Sequence, residues 1–156
     1  MLTSLIVVSL SGFINYSSEN FFTVAKNKYP LTSLQVANES YGITPKFEID
    51  LITGVSDLGK ANTYIFVSLS SDNTADISNG IYQFSSEPLN ERLPFSFNGF
   101  VKVNKHEVKI FQGTISVENR DNEFDIQFIL KLQNGDIAKG TYHGKALKIN
   151  RNQSYQ

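Results

Sequence analysis

The 156-residue chain carries 14 basic and 15 acidic residues, a formal net charge of −1. This balance supplies no overall positive field for nucleic acid and no general attraction to an anionic membrane. Cysteine is absent, which excludes disulfides, thiolate metal sites, a cysteine nucleophile and a lipid-modified cysteine in this sequence. The length is that of one typical domain.

The first fourteen residues, MLTSLIVVSLSGFI, form an apolar run. The run is shorter than the ~20 residues that a membrane-spanning helix needs, so no transmembrane helix is predicted. Its length and the small polar residues after it predict an export signal within residues 1–17. No Lys or Arg precedes the run, which leaves open an apolar strand, LIVVSL, that joins the sheet.

Apolar and polar side chains alternate along the rest of the chain, which predicts a single β domain over residues 18–150 and a polar tail over 151–156. In KFEIDLI, Phe47, Ile49 and Leu51 share an inward face, and the opposite residues are expected to face solvent. Those opposite residues are Lys46, Glu48 and Asp50. Strands are predicted at 21–26, 29–40, 45–53, 62–71, 80–86, 97–104, 107–118, 123–132 and 136–149.

The segment EFDIQFILKLQNGDIAKGTYHGKAL predicts the clearest hairpin. Its first strand places Phe124 and every second residue after it on one face, whereas Ile129 interrupts the polar face and indicates contact with another segment. Asn134-Gly135 is the pair that most readily adopts the positive φ angles of a type I′ turn. We therefore predict that the two flanking strands pair directly through a two-residue loop.

Many short strands with short connections leave no room for crossover helices. The pattern predicts an all-β fold, either an antiparallel β-sandwich or a closed up-and-down, lipocalin-like barrel of about 8 to 10 strands. Both architectures alternate inward and outward residues, so the sequence leaves the choice open.

The order FFTVAKNKYPL, then PKFEIDLITG, then ISNGIYQFSS, then FQGTISVENRDNEFDIQFILKLQNGDIAKGTYHGKAL resembles a group of all-β proteins from Bacteroidetes-type bacteria. The resemblance covers about residues 21 to 147 and consists of strand and turn positions. It implies export, commonly as an outer-membrane lipoprotein, and it supplies no catalytic residues. The absence of a cysteine after the apolar run departs from lipid anchoring.

Side chains that carry chemistry are scattered. His106 and His143 have no metal-ligand spacing, so both are interpreted as surface histidines and no metal or cofactor is predicted. The acidic residues Glu48, Asp50 and Asp125 alternate with core positions, which favours a solvated face over a catalytic carboxylate pair.

Asp72, Asn73 and Asp76 in SSDNTADISN supply oxygen ligands of the type that calcium prefers, but their spacing is typical of turns. The longest irregular segment, SSEPLNERLPFSFNGF, contains three aromatic residues that form a candidate binding loop: Phe95, Phe97 and Phe100. The opposing interpretation is that Phe95 and Phe97 begin the next strand and pack inside.

Three functions are weighed on these observations. The first is an exported or cell-surface, non-enzymatic domain that binds a protein or glycan partner, located at the cell surface, in the periplasm or outside the cell. The second is a lipocalin-like carrier of a small apolar ligand, for which a large apolar cavity would be the decisive observation. The third is a hydrolase with scattered carboxylates. Peripheral association with the cell surface is an expectation of the first.

Overall fold

The computed structural model describes residues 19–151 of the chain. This part contains ten strands and one 3-10 helix, Leu58–Lys60, and no α-helix. The strands are β1 Phe21–Val24, β2 Asn27–Pro30, β3 Ser33–Asn38, β4 Phe47–Ile52, β5 Tyr64–Ser70, β6 Gly80–Phe84, β7 Ser96–Val103, β8 His106–Arg120, β9 Glu123–Leu132 and β10 Ile137–Ile149.

The predicted strands are confirmed to within two residues at their ends, with one exception. The predicted strand 29–40 is two strands, β2 and β3, separated by Leu31 and Thr32. The division arises because the chain changes neighbours at this point. β2 pairs with β1, whereas the Thr32 N–H donates to the carbonyl oxygen of Ile52 at 2.8 Å and β3 then pairs with β4.

Strands β3 to β10 close into an eight-stranded barrel, which settles the architecture in favour of the barrel and against the sandwich. The ring closes where β10 pairs with β9 on one edge and, in parallel, with β3 on the other. β6 and β7 form a second parallel ladder, so the strand order is not purely up-and-down. The β1–β2 hairpin is additional and joins the first half of β10.

Large side chains fill the interior of the barrel. The alternation predicted for β9 is confirmed, because exposed and buried residues alternate along its whole length. The largest fully buried side chains in the described part include five aromatic residues: Phe22, Phe47, Tyr82, Phe97 and Phe124. Burying each of these contributes on the order of 2 to 3 kcal/mol, so the centre of the barrel is a packed core.

Three hairpins turn through two residues with left-handed backbone. Their φ angles lie between 48° and 73°, as a type I′ turn requires, although none of the residues is glycine. The pairs are Ala25-Lys26 between β1 and β2, Asn104-Lys105 between β7 and β8, and Asp121-Asn122 between β8 and β9.

The predicted pairing of β9 with β10 is confirmed, but the predicted type I′ turn at Asn134-Gly135 is wrong. Gly135 alone of the two has a positive φ, 91°, and its N–H donates to the Leu132 carbonyl at 2.9 Å. The Leu132 N–H donates to the Asp136 carbonyl at 2.9 Å, so the loop that this pair closes has three residues and ends on the left-handed Gly135. The Asn134 carboxamide oxygen accepts the Asp136 N–H at 3.0 Å, which favours this longer loop.

Lys46, Glu48 and Asp50 were predicted to face solvent, and this prediction is wrong for the two carboxylates. The Asp50 side chain is 0% exposed, and that of Glu48 is 12% exposed. Arg151, which lies just beyond β10, covers them from the outside of the barrel. Alternation placed these residues outward correctly, but it carries no information about which distant segment covers an outward face.

The predicted export segment, residues 1–17, lies outside the described residues, and of the predicted tail only Arg151 is described. Within residues 19–151 no helix has the length and apolar character that crossing a membrane requires.

Candidate functional site

A cavity of about 300 Å³ lies at one end of the barrel. Three hairpins converge there: the β1–β2 hairpin, the β7–β8 hairpin and the turn between β9 and β10. We call this end the mouth. Its lining residues are Val24, Ala25, Asn27, Tyr29, Val101, Val103, Asn104, His106, Val108, Leu132, Asn134 and Asp136.

The walls of the mouth cavity are apolar. Val24, Val101 and Leu132 are buried in the core beneath it, and Val103 and Val108 pack against that core while remaining partly exposed. The side chains that face inward near this end are mostly valines, which are smaller than the phenylalanines at the centre of the barrel. The smaller side chains leave space at this end of the barrel interior.

Tyr29 supplies one side of the cavity from β2. Its ring stacks on that of Phe22 with centroids 5.1 Å apart and an interplanar angle of 25°. Phe22 is fully buried, so the stacking fixes the tyrosine ring against the barrel wall. A ring held in this way offers a rigid apolar face to a ligand.

The side chains that line the rim of the mouth are polar and carry little charge, and the exposed lysines of two of its turns, Lys26 and Lys105, lie outside this lining. Asn27, Asn104, His106, Asn134 and Asp136 surround the apolar walls, and Asp136 is the one residue among them that carries a charge when histidine is neutral. The Asn134 side-chain amide donates to the Asp136 carboxylate at 2.9 Å, which orients both groups. These amides and the imidazole offer hydrogen bonds to an uncharged polar group.

The β7–β8 side of the rim is anchored to the loop that connects β4 with β5. The Asn104 N–H donates to the Thr63 hydroxyl oxygen at 3.1 Å, and the Lys105 N–H donates to the Asn62 carbonyl at 2.9 Å. These two bonds hold the turn in place, so this side of the mouth is preformed. Preformed sites lose less conformational entropy when they bind a ligand.

The candidate binding loop does not present its three aromatic rings to one surface. Phe97 is 0% exposed in the core, and the Phe95 ring packs at 5.3 Å from that of Tyr82. Phe100 lies on the outside of the barrel, stacked at 5.1 Å on Phe66. Phe97 is therefore inaccessible to a ligand, and the three residues belong to three separate environments.

Arg92, which the sequence reading missed, attaches this loop to the barrel. Its guanidinium donates to the carbonyl and the hydroxyl oxygen of Ser68 at 2.9 and 3.1 Å. Burial lowers the pKa of Arg92 from its ordinary value. The neighbouring residues give no hint of this role, because the arginine stands among exposed residues in NERLP.

The carboxylates considered for hydrolysis lie in two different places. Glu48 and Asp50 meet under Arg151 on the outside of the barrel, where the Arg151 Nε lies 3.0 Å from Glu48 and a terminal nitrogen bonds Asp50. Burial raises the pKa of Asp50 to about 6; the Arg151 charge opposes the rise and Glu48 adds to it. Asp50 has no exposed surface, so a substrate has no contact with it in this arrangement.

Asp125 instead pairs with His143 on the exposed outer surface of β9 and β10. The His143 Nδ1 lies 2.6 Å from Asp125, and the Nε2 lies 3.4 Å from Glu123. The hydrogen bond and charge of Asp125 raise the pKa of His143. Among residues 19–151, no group of three or more His, Cys, Asp or Glu side chains is arranged to hold a metal ion.

The acidic loop considered for calcium forms a turn. The Asn73 carboxamide oxygen accepts the N–H groups of Ala75 and Asp76, each at 3.0 Å. Asp72 accepts hydrogen bonds from Ser78 and Asn73, which lower its pKa. These side chains are thus bonded within their own loop, as the turn interpretation predicts.

Of the residues singled out from the sequence, His106 and the turn residue Asn134 line the mouth cavity. A signal for the others was present in the sequence, since inward valines directly precede two of the tight turns, in FTVAKN and VKVNKH. Recognising it requires knowing that the two turns meet at the same end of a barrel. Comparison with family models, with curated proteins and with solved structures found no match to this chain.

Proposed function

We propose that this chain is a non-enzymatic binding domain that holds a small, mainly apolar ligand in the mouth of its barrel. The observation that supports the proposal is the cavity of about 300 Å³ with apolar walls and a polar rim. Small-molecule sites are concave, mostly apolar and usually preformed, with volumes of roughly 300 to 1,000 Å³. The mouth lies at the lower end of that range, which favours a small ligand.

The packed centre of the barrel limits how deep the ligand lies. Phe97 and Phe124 fill the interior, so the ligand occupies the end of the barrel and keeps one part near solvent. The rim then meets that part. Because the rim offers three asparagine amides and one imidazole but little charge, an uncharged polar group such as a hydroxyl suits it better than a carboxylate.

The test compares decanol with decanoate, two probes with the same apolar chain and different polar ends. In an NMR titration, decanol is expected to shift the amide resonances of Val24, Val103 and Leu132, and decanoate is expected to bind more weakly. Val103→Phe fills the cavity and is expected to abolish the shifts. Leu147→Phe enlarges an exposed side chain on the outside of the barrel, away from the mouth, and serves as the matched control.

Two results would contradict the proposal. One is unchanged decanol binding by the Val103→Phe variant, provided that cooperative thermal melting shows that this variant is folded. The other is resonance shifts confined to residues away from the mouth.

We also propose that the protein is exported to the periplasm, the cell surface or the outside of the cell. The apolar run at the start of the sequence and the resemblance to exported all-β proteins support this location. The mass of the mature chain from its native source tests it, because removal of an export signal shortens the chain, and an intact first segment contradicts cleavage.

A further inference from the structure

Three large apolar side chains stand exposed on the outer surface of β8, β9 and β10, close to the mouth. Phe111 is 47% exposed, Ile129 57% and Ile137 50%. Three exposed lysines lie on the same strands. We call these six residues the basic-apolar patch: Lys109, Phe111, Ile129, Lys131, Ile137 and Lys139.

The strand register brings the two kinds of side chain together. Lys131 on β9 lies directly opposite Ile137 on β10, and Ile129 lies directly opposite Lys139. Residues opposite one another on neighbouring strands have Cβ atoms about 5 Å apart, so these four side chains form one contiguous group.

A β-bulge adds Phe111 to the group. Ile110 pairs with Leu132 and Gln112 with Lys131, which leaves Phe111 as the extra residue of β8. Ile110 is buried and Phe111 is exposed. Bulges commonly redirect a side chain, and this one turns a phenylalanine outward beside Lys131.

The lysines of the patch are not neutralised by ion pairs. Within residues 19–151, no carboxylate lies within 4.0 Å of the Lys109, Lys131 or Lys139 ammonium groups. The nearest acidic residues along these strands are Asp136, next to Ile137, and Glu107, two residues before Lys109. The patch therefore has a local excess of positive charge.

The other half of the same surface differs in charge. There, Glu123 and Asp125 flank His143, and Glu118 pairs with Arg120 at 2.6 Å. In that half the acidic residues offset the exposed basic residues Arg120, Lys145 and Lys148, whereas the half next to the mouth carries the patch lysines without such an offset. Because charges more than about 10 Å apart are screened in physiological salt, the net charge of the whole chain does not describe this half.

We propose that the basic-apolar patch docks the barrel onto an anionic lipid bilayer. Lysines near an anionic surface are attracted to its headgroups, and exposed aromatic and aliphatic side chains enter the interface between headgroups and acyl chains. The patch supplies both, with the apolar side chains between the lysines. This inference goes beyond ligand binding and does not depend on it.

Docking through this patch brings the mouth near the bilayer. The β9–β10 turn, which contributes Asn134 and Asp136 to the rim, lies just beyond the paired residues Lys131 on β9 and Ile137 on β10. A barrel attached in this way can exchange an apolar molecule with the membrane over a short path.

The first experiment is flotation of the full chain with vesicles of phosphatidylcholine alone and of phosphatidylcholine mixed with phosphatidylglycerol. Binding is expected only with the anionic lipid and is expected to weaken as salt rises. Since each lysine near such a surface contributes roughly fivefold in affinity, the variant Lys109→Gln, Lys131→Gln, Lys139→Gln is expected to bind on the order of 100-fold more weakly.

The matched control removes the same charge elsewhere. Lys60, Lys145 and Lys148 are exposed and lie outside the patch. Their triple Gln variant is expected to keep binding within a few-fold of the wild type. No binding of the wild type to anionic vesicles at low salt would overturn the proposal, as expected if the patch served a protein partner instead. Equal losses in both triple variants would also overturn it.

The second experiment locates the contact. The chain has no cysteine, so a single introduced cysteine carries an environment-sensitive fluorophore without further changes. Ile129 and Leu147 are exposed aliphatic residues, 57% and 55%, inside and outside the patch. Labelled Ile129→Cys is expected to shift to the blue with anionic vesicles and labelled Leu147→Cys is not. The reverse pattern, or equal shifts, would overturn the assignment even where vesicles bind.

Discussion

The two sides of the barrel treat their outward residues differently. On one side, formed by β4, β5 and β7, the outward residues are covered: Arg151 lies over Glu48 and Asp50, and Arg92 lies over Ser68. We call this side the covered wall. On the other side, formed by β8, β9 and β10 and called the open wall, outward residues such as Ile129 meet solvent. Both sides share the same inward core.

The contrast separates two determinants of burial. Alternation within a strand decides which side chains point inward, and it does so equally well on both walls. Segments distant in the chain decide whether an outward side chain meets water. Arg151 is 101 residues from Asp50, and Arg92 is 24 residues from Ser68. A local pattern therefore predicts the inward side chains on both walls, but it does not predict which outward side chains of the covered wall are buried.

Three phenylalanines test this contrast with the largest expected effect. Phe97 lies in the core, Phe100 on the covered wall and Phe111 on the open wall. Phe97→Ala is expected to lower the free energy of unfolding by about 3 to 5 kcal/mol, because it leaves a cavity in a packed core. Phe111→Ala is expected to change it by less than about 0.5 kcal/mol. Urea unfolding followed by circular dichroism measures both.

Phe100→Ala provides the intermediate point of the series. Its ring stacks on Phe66 and is partly exposed, so we expect a loss of about 1 to 2 kcal/mol. Equal losses for Phe100→Ala and Phe111→Ala would mean that coverage of the outer wall contributes nothing to stability.

The sequence predicted the inward faces and strand ends well, because alternation is local. It did not predict which barrel end would hold a cavity, since Val24, Val103 and Leu132 come from three separate hairpins. Turn type was also missed. Asn134-Gly135 has the favoured residues for a type I′ turn, whereas the chain uses that backbone at Ala25-Lys26 without any glycine. At that turn the pairing of β1 with β2 leaves two residues for the loop, and a two-residue loop requires the positive φ angles of a type I′ turn.

Ile129 shows that the sequence also misjudged an outward side chain on the open wall. An isoleucine that interrupts a polar face indicated contact with another segment, and within the described residues it is instead 57% exposed. An apolar residue at an outward strand position is thus consistent with burial against another segment of the chain and with exposure to a partner. A structure is needed to choose between them, and the exposed outcome is what directs attention to the basic-apolar patch.

Asp50 gives the second prediction. Burial raises the pKa of Asp50 from 3.8 to about 6. Between about pH 4 and pH 6, Asp50 is therefore protonated in the folded state and ionised in the unfolded state. Stability contributed by this group is therefore full below about pH 4 and falls as the pH rises through about 6. Each pH unit between the two pKa values corresponds to about 1.4 kcal/mol, so the total is on the order of 3 kcal/mol.

Asp50→Asn is expected to remove this fall. The variant should match the wild type near pH 4 and exceed it in stability near pH 7, by as much as about 3 kcal/mol. Arg151→Gln is the matched change on the other partner and should do the opposite, with a loss near pH 7 that shrinks near pH 4. Urea unfolding at the two pH values measures both, and a loss for Asp50→Asn near pH 7 would show that the ion pair outweighs burial.

His143 gives the smallest expected effect, on the open wall. Asp125 raises the pKa of His143 chiefly through a hydrogen bond at 2.6 Å, with smaller contributions from Glu123. Since the folded pKa is raised, the stabilisation from this histidine is present below its unfolded pKa and is lost as the pH rises through the folded value. An NMR titration of the imidazole measures that pKa directly.

Asp125→Asn is expected to lower the His143 pKa, and Glu123→Gln is expected to lower it less. Both residues are about half exposed, so solvent screens the pair and neither variant should change the unfolding midpoint measurably. A covered ion pair, such as that of Asp50 with Arg151, should respond to the same kind of substitution in its stability. If Asp125→Asn altered stability as much as Asp50→Asn, coverage by distant segments would not be what separates the two walls.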